Sequence, residues 1–321
     1  MLKTVALPGN SRKTEWGAKP FLSRTMVRAA PFALLTLICG FASAQATVPE
    51  LLEKKLDSRI RALDRALDGV LGVEAIDLTS GRVIGYHADS VFPTASSIKI
   101  PILIQMFRSA KAQEFRFTDH VTLTRADMVG GSGELQKSLA RGPVTLTVRD
   151  LIAAMIEHSD NTATNKCIEM VKMERVNTLL DELGFPKTRL RRCMMDSAAA
   201  ARGDENVSTP DEMARLLETI YRGQAMDRAS SDDMLSILKH VKAEMRKAVP
   251  AGVEVASKPG DLPGVHCETG LILLPGRPFI LSVFSTYLAD DTANPVGDVT
   301  RLMCRYFSQL AQSNVYGRKL Q

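Results

Sequence analysis

A serine and a lysine three residues apart, Ser96 and Lys99, are the first side chains whose spacing suits covalent chemistry. On a helix this spacing places both side chains on one face. A neutral lysine can accept the hydroxyl proton there and leave a serine nucleophile. Because apolar residues flank the pair, we expect Ser96 at a helix N-terminus, where backbone N–H groups favour negative charge. Ser236 and Lys239 repeat the spacing, but on a helix face that we interpret as solvated.

Two further polar motifs follow along the chain. Ser159-Asp160-Asn161 comes after an apolar helix, and Lys258-Pro259-Gly260 comes at the end of a predicted strand. Each alone has a structural interpretation, the first as a helix stop and N-cap and the second as the exit of a strand. The intervals are 63 residues from Ser96 to Ser159 and 99 residues from Ser159 to Lys258. We therefore treat the three motifs, in this order, as one pattern.

The pattern resembles the class A β-lactamases, serine penicillin-recognising enzymes with the signatures S-x-x-K, S-D-N and K-[ST]-G. The resemblance covers essentially the whole mature chain, and the segments 146–151 and 209–210 also look like that family. It implies hydrolysis of β-lactam or related amide bonds through an acyl-enzyme. No cofactor or metal is implied.

The resemblance also implies a role for each motif residue. Ser96 would be the acylated nucleophile and Lys99 its proton acceptor, while Ser159 would relay a proton to the leaving nitrogen. Lys258 would supply positive charge. Substrate binding would involve Asn161, which would hold the substrate amide, together with Gly260 and Asp261. The backbone N–H groups of Ser96 and Asp261 would form the oxyanion hole.

The first departure from the family lies in the long loop after Arg189. Class A β-lactamases carry a glutamate there that activates water for deacylation, followed four residues later by an asparagine. The corresponding residues in this chain are Met194 and Ala198. A methionine cannot act as a base, so we expect deacylation to be slower by roughly 10²–10⁴-fold. The nearest carboxylate, Asp196, is the candidate substitute.

The second departure is Pro259, at the position where the family has a serine or threonine whose hydroxyl grips the substrate carboxylate. Proline offers neither a hydroxyl nor an N–H group. We therefore expect weak recognition of carboxylate-bearing β-lactams, unless another donor such as His266 or Arg277 reaches the same group.

Three functional classes remain open. The first is a class A-type β-lactamase. The second is a penicillin-binding D,D-peptidase-like enzyme, which shares the fold, lacks the deacylating glutamate and acts on cell-wall peptides. The third is a non-catalytic binding module, which the presence of all the motif residues argues against. The five histidines lack metal-ligand spacing, which argues against a metalloenzyme. The chain also lacks a G-x-S-x-G segment, which argues against a Ser-His-Asp hydrolase.

The charge of the chain is concentrated in a leader. Residues 1–46 contain six basic side chains and one acidic side chain, so they hold the whole net charge of +5 and the remainder is neutral. This distribution removes the main support for a nucleic-acid partner.

Residues 26–44 combine a basic residue, an apolar stretch too short to span a bilayer and a small-x-small site, which is typical of a secretory signal peptide. We expect cleavage after Ala44, a secreted or periplasmic protein, and no stable membrane span after processing.

The remaining chain, residues 47–321, is predicted to form one α/β (α+β) domain. Leucine and isoleucine spacing predicts a first helix, followed by a hairpin at 73–86. Residues 96–247 are mainly helical, with a long surface loop at 189–209, and strands and a closing helix follow. This order indicates an antiparallel sheet built from both ends, 47–95 and 248–321, with an all-helical subdomain inserted between them.

Four cysteines remain after processing: Cys167, Cys193, Cys267 and Cys304. Export permits disulfides, but the sequence leaves both their pairing and the alternative of buried free thiols open. We expect a monomer whose partner is a small-molecule β-lactam or a cell-wall peptide.

Overall fold

The computed structural model describes residues 46–290 and 292–320. The predicted signal peptide at 26–44 lies outside the described residues. Within them, no helix is both long enough and apolar enough to cross a membrane.

The described residues contain nine strands. In chain order they are β1 Val70–Asp77, β2 Val83–Tyr86, β3 Phe92–Pro93, β4 His120–Leu123, β5 Val144–Thr147, β6 Val207–Ser208, β7 Val255–Leu262, β8 Val265–Ile272 and β9 Phe279–Thr286. The main sheet is fully antiparallel and has the order β2-β1-β9-β8-β7. Both ends of the domain therefore contribute strands to it, as the predicted α/β fold requires.

Eleven α-helices surround this sheet in the described part of the chain. They are α1 Val48–Ala66, α2 Lys99–Lys111, α3 Leu135–Leu139, α4 Val148–Glu157, α5 Asn161–Val171, α6 Met173–Glu182, α7 Ser197–Ala201, α8 Pro210–Tyr221, α9 Arg228–Lys239, α10 Glu244–Ala248 and α11 Pro295–Ala311. Two 3₁₀ turns, Ala95–Ile98 and Arg125–Asp127, precede α2 and α3.

The two faces of the sheet bury two different apolar clusters, because side chains alternate between the faces of a strand. Val73 and Ala75 of β1 pack with α1 and α11, where the rings of Phe279 and Phe307 stack at 4.3 Å. On the other face, Phe284 joins the large cluster formed with the helices between β2 and β7. The second face is the one that carries the candidate site.

Two helices begin at residues whose side chains cap the first turn. Thr147 accepts a hydrogen bond from the Asp150 N–H at 3.1 Å, as part of the capping box of α4. Thr209 caps α8 in the same way through the Glu212 N–H, with Pro210 at the first helical position. Caps of this kind typically stabilise a helix by about 1 kcal/mol.

The last strands and the long loop differ from the sequence prediction. β7 does not end at Lys258 but continues to Leu262, so the third motif lies inside a strand. β7 is an edge strand of the sheet, where a proline without an N–H group is tolerated. The segment 189–209 is not simply a surface loop either. It contains α7 and β6, and its residues Leu190 and Met194 are buried.

Candidate active site

The first motif lies on a strained turn between β3 and α2. Ala95, just before the serine, has a φ of 44°, a left-handed value that few non-glycine residues adopt and that is concentrated at functional sites. Ser96 follows in the 3₁₀ turn and remains half-buried, whereas Lys99 at the start of α2 is fully buried. The Lys99 Nζ donates to the Ser96 Oγ at 3.0 Å. The three-residue spacing therefore does bring the two side chains together.

The second motif lies between α4 and α5. Ser159 has a φ of 53°, and its side chain approaches Lys99, whose Nζ donates to the Ser159 Oγ at 3.0 Å and to its carbonyl oxygen at 2.8 Å. The same Nζ donates to the Asn161 Oδ1 at 3.1 Å. Asp160 caps α5 through the Ala163 N–H, so the structural interpretation of this segment holds beside the functional one.

The third motif reaches the site from the edge of the sheet. Lys258 is fully buried, and its Nζ donates to the Ser159 Oγ at 3.1 Å and to the Pro259 carbonyl oxygen at 3.1 Å. One hydroxyl therefore joins side chains from all three motifs.

Burial changes the proton affinity of both lysines. Loss of solvent, followed by repulsion from Lys258, lowers the pKa of Lys99 well below its ordinary value. Loss of solvent also lowers the pKa of Lys258, to about 8. A neutral Lys99 is a competent proton acceptor for a serine hydroxyl 3.0 Å away.

Gly260 permits a close approach between strand β7 and the serine turn. A Cβ atom added to it would lie 2.4 Å from the Thr94 carbonyl oxygen and 2.8 Å from the Ser96 backbone nitrogen. Only a glycine at this position therefore allows strand β7 to lie this close to Ser96. Asp261, the next residue, lines the same cleft as Ser96.

The cleft in front of Ser96 has a volume of about 290 Å³. One wall of the cleft is formed by the long loop after Arg189 and includes Met194, Met195 and Asp196. Asp196 is exposed, and its Oδ1 accepts the Ala199 N–H at 2.9 Å as the cap of α7. The candidate substitute base therefore faces the cleft but already serves as a helix cap.

Met194 is held firmly where the family's glutamate would be expected. Its backbone N–H donates to the Asn165 Oδ1 at 2.7 Å, and its carbonyl oxygen accepts from the Asn165 Nδ2 at 3.1 Å. The loop is also tied together by Arg192, which is nearly buried and forms a salt bridge with Glu205 at 2.8 Å. Asn165, Arg192 and Glu205 carry no local signal in the sequence, because their partners are 13 to 29 residues away in the chain.

A second cavity, of about 380 Å³, lies on the other side of Asp261. It is lined by Pro259, His266 and Glu268, and the His266 Nδ1 lies 2.8 Å from the Asp261 Oδ1. Arg277, the other candidate donor for a substrate carboxylate, is not at this site. It forms a salt bridge with Asp77 of β1. Along β1, Asp77 lies four residues away from the position that is level with Pro259 across the sheet.

The four cysteines of the domain are all free thiols: Cys167, Cys193, Cys267 and Cys304. Cys267 is buried behind the serine turn, where its Sγ lies 3.3 Å from the Ser97 Oγ. Among the residues with described positions, no group of three or more His, Cys, Asp or Glu side chains could hold a metal ion.

Comparison with known proteins identifies the family. A sequence model of the β-lactamase enzyme family matches residues 55–307. β-Lactamase AST-1 of Nocardia asteroides is 28% identical over 279 residues, which cover 84% of this chain and 89% of that protein. A crystal structure of a β-lactamase from Sphaerobacter thermophilus is 31% identical, with a TM-score of 0.74, and the match covers 79% of this chain and 97% of that one. The structure of PBP-A is similar in fold, with 23% identity, a TM-score of 0.72 and coverage of 79% and 96%. The chain thus belongs to the β-lactamase enzyme family, which confirms the resemblance drawn from the three motifs.

Proposed function

We propose that this protein is a serine hydrolase that becomes acylated on Ser96 by β-lactams or related amides and releases the acyl group slowly. The observation that carries the proposal is the continuous set of contacts from the Ser96 Oγ through the Lys99 Nζ to the Ser159 Oγ, each 3.0 Å long. Such a chain can move a proton from the nucleophile toward the departing nitrogen.

Acylation begins with the neutral form of Lys99. Its Nζ takes the proton from the Ser96 hydroxyl while the Oγ attacks the amide carbonyl carbon. The carbonyl oxygen becomes an oxyanion, stabilised by the backbone N–H groups of Ser96, just before α2, and of Asp261 in β7. The C–N bond then breaks, the Ser159 hydroxyl gives its proton to the leaving nitrogen, and Lys99 restores that proton to Ser159.

Two further residues bind the substrate in this proposal. Asn161 holds the substrate amide, and its Nδ2 is already oriented by the Gly130 carbonyl oxygen at 3.1 Å. Lys258 provides positive charge beside Ser159, 3.1 Å from its Oγ. Gly260 keeps the strand edge open, because any side chain there would collide with the serine turn.

Deacylation requires a water activated next to the ester, and Met194 supports a slow step. A thioether has no proton affinity useful for catalysis, and Asp196 is engaged as a helix cap. The same observation favours the second candidate, a penicillin-binding D,D-peptidase-like enzyme for which β-lactams are slow-turnover inhibitors. A non-catalytic binding module would not need two buried lysines around one serine hydroxyl.

The cell location follows the predicted leader. We propose that the mature protein is secreted or periplasmic, where β-lactams and cell-wall peptides are both present.

Mass spectrometry of the intact protein, followed over time after adding a penicillin, tests the proposal. We expect an adduct of the mass of the whole penicillin on the wild type and on Ser236→Ala, the variant of the second Ser-x-x-Lys pair. Ser96→Ala should give none while keeping the wild-type circular dichroism spectrum. Persistence of the adduct for minutes supports slow deacylation, and rapid loss with product release indicates an efficient β-lactamase. An adduct on another serine, or none on the folded wild type, would overturn the assignment.

A further inference from the structure

A buried thiol lies between the serine turn and strand β7. The serine turn is the 3₁₀ turn Ala95–Ile98 together with Thr94, and Cys267 of β8 stands directly opposite Gly260 of β7. The Cys267 Sγ lies 3.1 Å from the Thr94 carbonyl oxygen and 3.3 Å from the Gly260 carbonyl oxygen. Gly260 leaves room for this sulfur, since a Cβ atom added to it would lie 2.9 Å from the Sγ. The thiol therefore contacts the backbone of both segments.

Ser97 makes a second link between the same two segments. Its side chain is fully buried, and its Oγ donates to the Lys258 carbonyl oxygen at 3.1 Å. The Ser97 Oγ also lies 3.3 Å from the Cys267 Sγ, so the two side chains contact each other. The hydroxyl has one proton, and Lys258 accepts it, so the thiol donates its own proton to one of the oxygens around it. Burial raises the pKa of Cys267 to about 12, and the thiol therefore remains a donor at neutral pH.

The two links enclose the proposed oxyanion hole. Along the turn, the linked residues Thr94 and Ser97 lie on either side of Ala95 and Ser96. Along β7, the linked carbonyl oxygens belong to two of the three residues that precede Asp261. The turn needs support at this place, because the left-handed φ of 44° at Ala95 persists only where surrounding contacts fix it.

We propose that Ser97 and Cys267 form a latch that holds the serine turn against β7 and thereby sets the distance between the backbone N–H groups of Ser96 and Asp261. Both are positioning residues, because neither lines the cleft in front of Ser96. The role of the latch in catalysis rests on the proposed acylation of Ser96, whereas its contacts do not. Donors of an oxyanion hole must lie within about 2.7–3.1 Å of the developing oxyanion, and a displacement of about 1 Å can slow a reaction 10²-fold. Loosening the latch therefore slows acylation without removing any reacting group.

Cys304 of α11 shows a buried thiol without such contacts. It is 4% exposed, packs in the apolar cluster with α1, and forms no hydrogen bond within the described part of the chain. Cys267 is 2% exposed, but three oxygen atoms lie within 3.3 Å of its sulfur. Filling apolar space therefore accounts for Cys304 and not for Cys267, which makes Cys304 the matched control.

Infrared spectroscopy of the free protein tests the latch without a substrate. A thiol that donates a hydrogen bond has a lower S–H stretching frequency than a thiol in apolar surroundings. Subtracting the spectrum of Cys267→Ser from that of the wild type isolates the band of Cys267, and Cys304→Ala isolates that of Cys304 in the same way. We expect the Cys267 band at the lower frequency. Equal frequencies would overturn the latch.

The kinetics of acylation test its role in catalysis. Cys267→Ala should lower the rate of adduct formation at saturating penicillin by about 10-fold, with little change in the concentration that gives half of this rate. Cys267→Ser keeps a donor and should stay within a factor of a few of the wild type, as should Cys304→Ala. A wild-type rate in Cys267→Ala, an equal loss in Cys304→Ala, or no recovery in Cys267→Ser would refute the positioning role.

A penicillin analogue with sulfur in place of the β-lactam carbonyl oxygen shows whether the oxyanion hole is the part that changes. Sulfur is larger and accepts hydrogen bonds more weakly, so donors placed for an oxyanion favour the oxygen compound. We expect Cys267→Ala to lower the ratio of the two acylation rates, oxygen over sulfur, by about the same factor as the rate for the oxygen compound. An unchanged ratio would overturn the proposal, because both rates would then fall for a reason unrelated to the oxyanion.

If Cys267→Ala does not fold, Ser97→Ala provides the test, because it removes the second link of the latch. The same fall in the ratio is then expected, and an unchanged ratio refutes the latch. Failure of a penicillin to label Ser96 would refute the proposed function alone, because the infrared comparison needs no substrate.

Discussion

Lys99 and Lys258 donate hydrogen bonds to the same atom, the Ser159 Oγ, at 3.0 and 3.1 Å. One lysine comes from a helix of the inserted region and the other from the edge strand of the sheet. The cleft is therefore assembled only when these two parts of the domain meet at Ser159.

The first prediction concerns this shared hydroxyl. Ser159→Ala should slow acylation of Ser96 by roughly 10²–10⁴-fold, because the proton can no longer pass from Lys99 to the leaving nitrogen. The rate constant for adduct formation with a penicillin measures the effect. Ser132→Ala changes another serine that lines the same cleft and should leave the rate within a factor of a few. Equal losses in the two variants would show that Ser159 has no special role.

The second prediction restores the missing base. Met194→Glu combined with Ala198→Asn should speed deacylation by roughly 10²-fold or more, because Asn165 already holds the backbone at residue 194. The decay of the acyl-enzyme in the mass spectrum gives the rate. Met195→Glu, which adds the same charge at the exposed neighbouring position, is the matched control. A double variant that folds and still keeps its adduct would contradict this account of slow turnover.

The third prediction concerns Asp196. Asp196→Asn should leave the deacylation rate nearly unchanged, because an asparagine oxygen can still cap α7 and the carboxylate has no other assigned partner in the described structure. The acyl-enzyme lifetime is again the measurement. A lifetime that increases tenfold or more would identify Asp196 as the general base. Asp196 would then take the place of the family's glutamate in turnover by the wild type.

The fourth prediction concerns the proline of the third motif. Pro259→Thr would restore a donor for the substrate carboxylate, worth ~1.5–3 kcal/mol, and should raise the second-order acylation constant by roughly 10–150-fold. A β-lactam esterified at its carboxylate should show no such gain. If the acid and the ester respond alike, or if the constant falls, the site recognises its ligand in another way, for which His266 is the nearest candidate.

The fifth prediction concerns stability rather than catalysis. Glu74 of β1 is 2% exposed and its Oε1 has no hydrogen-bond partner in the described structure. Burial, reinforced by Asp211, raises its pKa from 4.5 to about 8. The folded state therefore holds this proton more tightly than the unfolded state, and the contribution of Glu74 to stability declines as the pH rises from about 4.5 to about 8.

Glu74→Gln removes this pH dependence. We expect the variant to exceed the wild type in free energy of unfolding by up to roughly 5 kcal/mol at pH 9 and to differ little at pH 4. Urea unfolding at the two pH values measures the difference, with the exposed Glu254→Gln as control. If the free energies of unfolding of Glu74→Gln and the wild type differ by the same amount at both pH values, Glu74 is not protonated in the folded protein.

Much of the helical framework could be predicted from local sequence. The spacing of apolar residues in α1 and α11, and the caps at Thr147 and Thr209, depend on residues within one or two helical turns of each other. The extension of β7 through Pro259 could not be predicted in this way. Proline and glycine ordinarily indicate the end of a strand, and only pairing with β8, together with an edge position, allows the strand to continue.

The three motifs could be recognised from the sequence alone by their residue types and order, because acylation of a serine calls for a serine, a neutral lysine and a second lysine. The contact of both lysines with one hydroxyl was decided only by tertiary structure. The lysines are 159 residues apart in the chain, so no local pattern in the sequence links them. Burial then sets the charge of each group, since the proton affinity of a lysine depends on the solvent and charges around it in the folded protein.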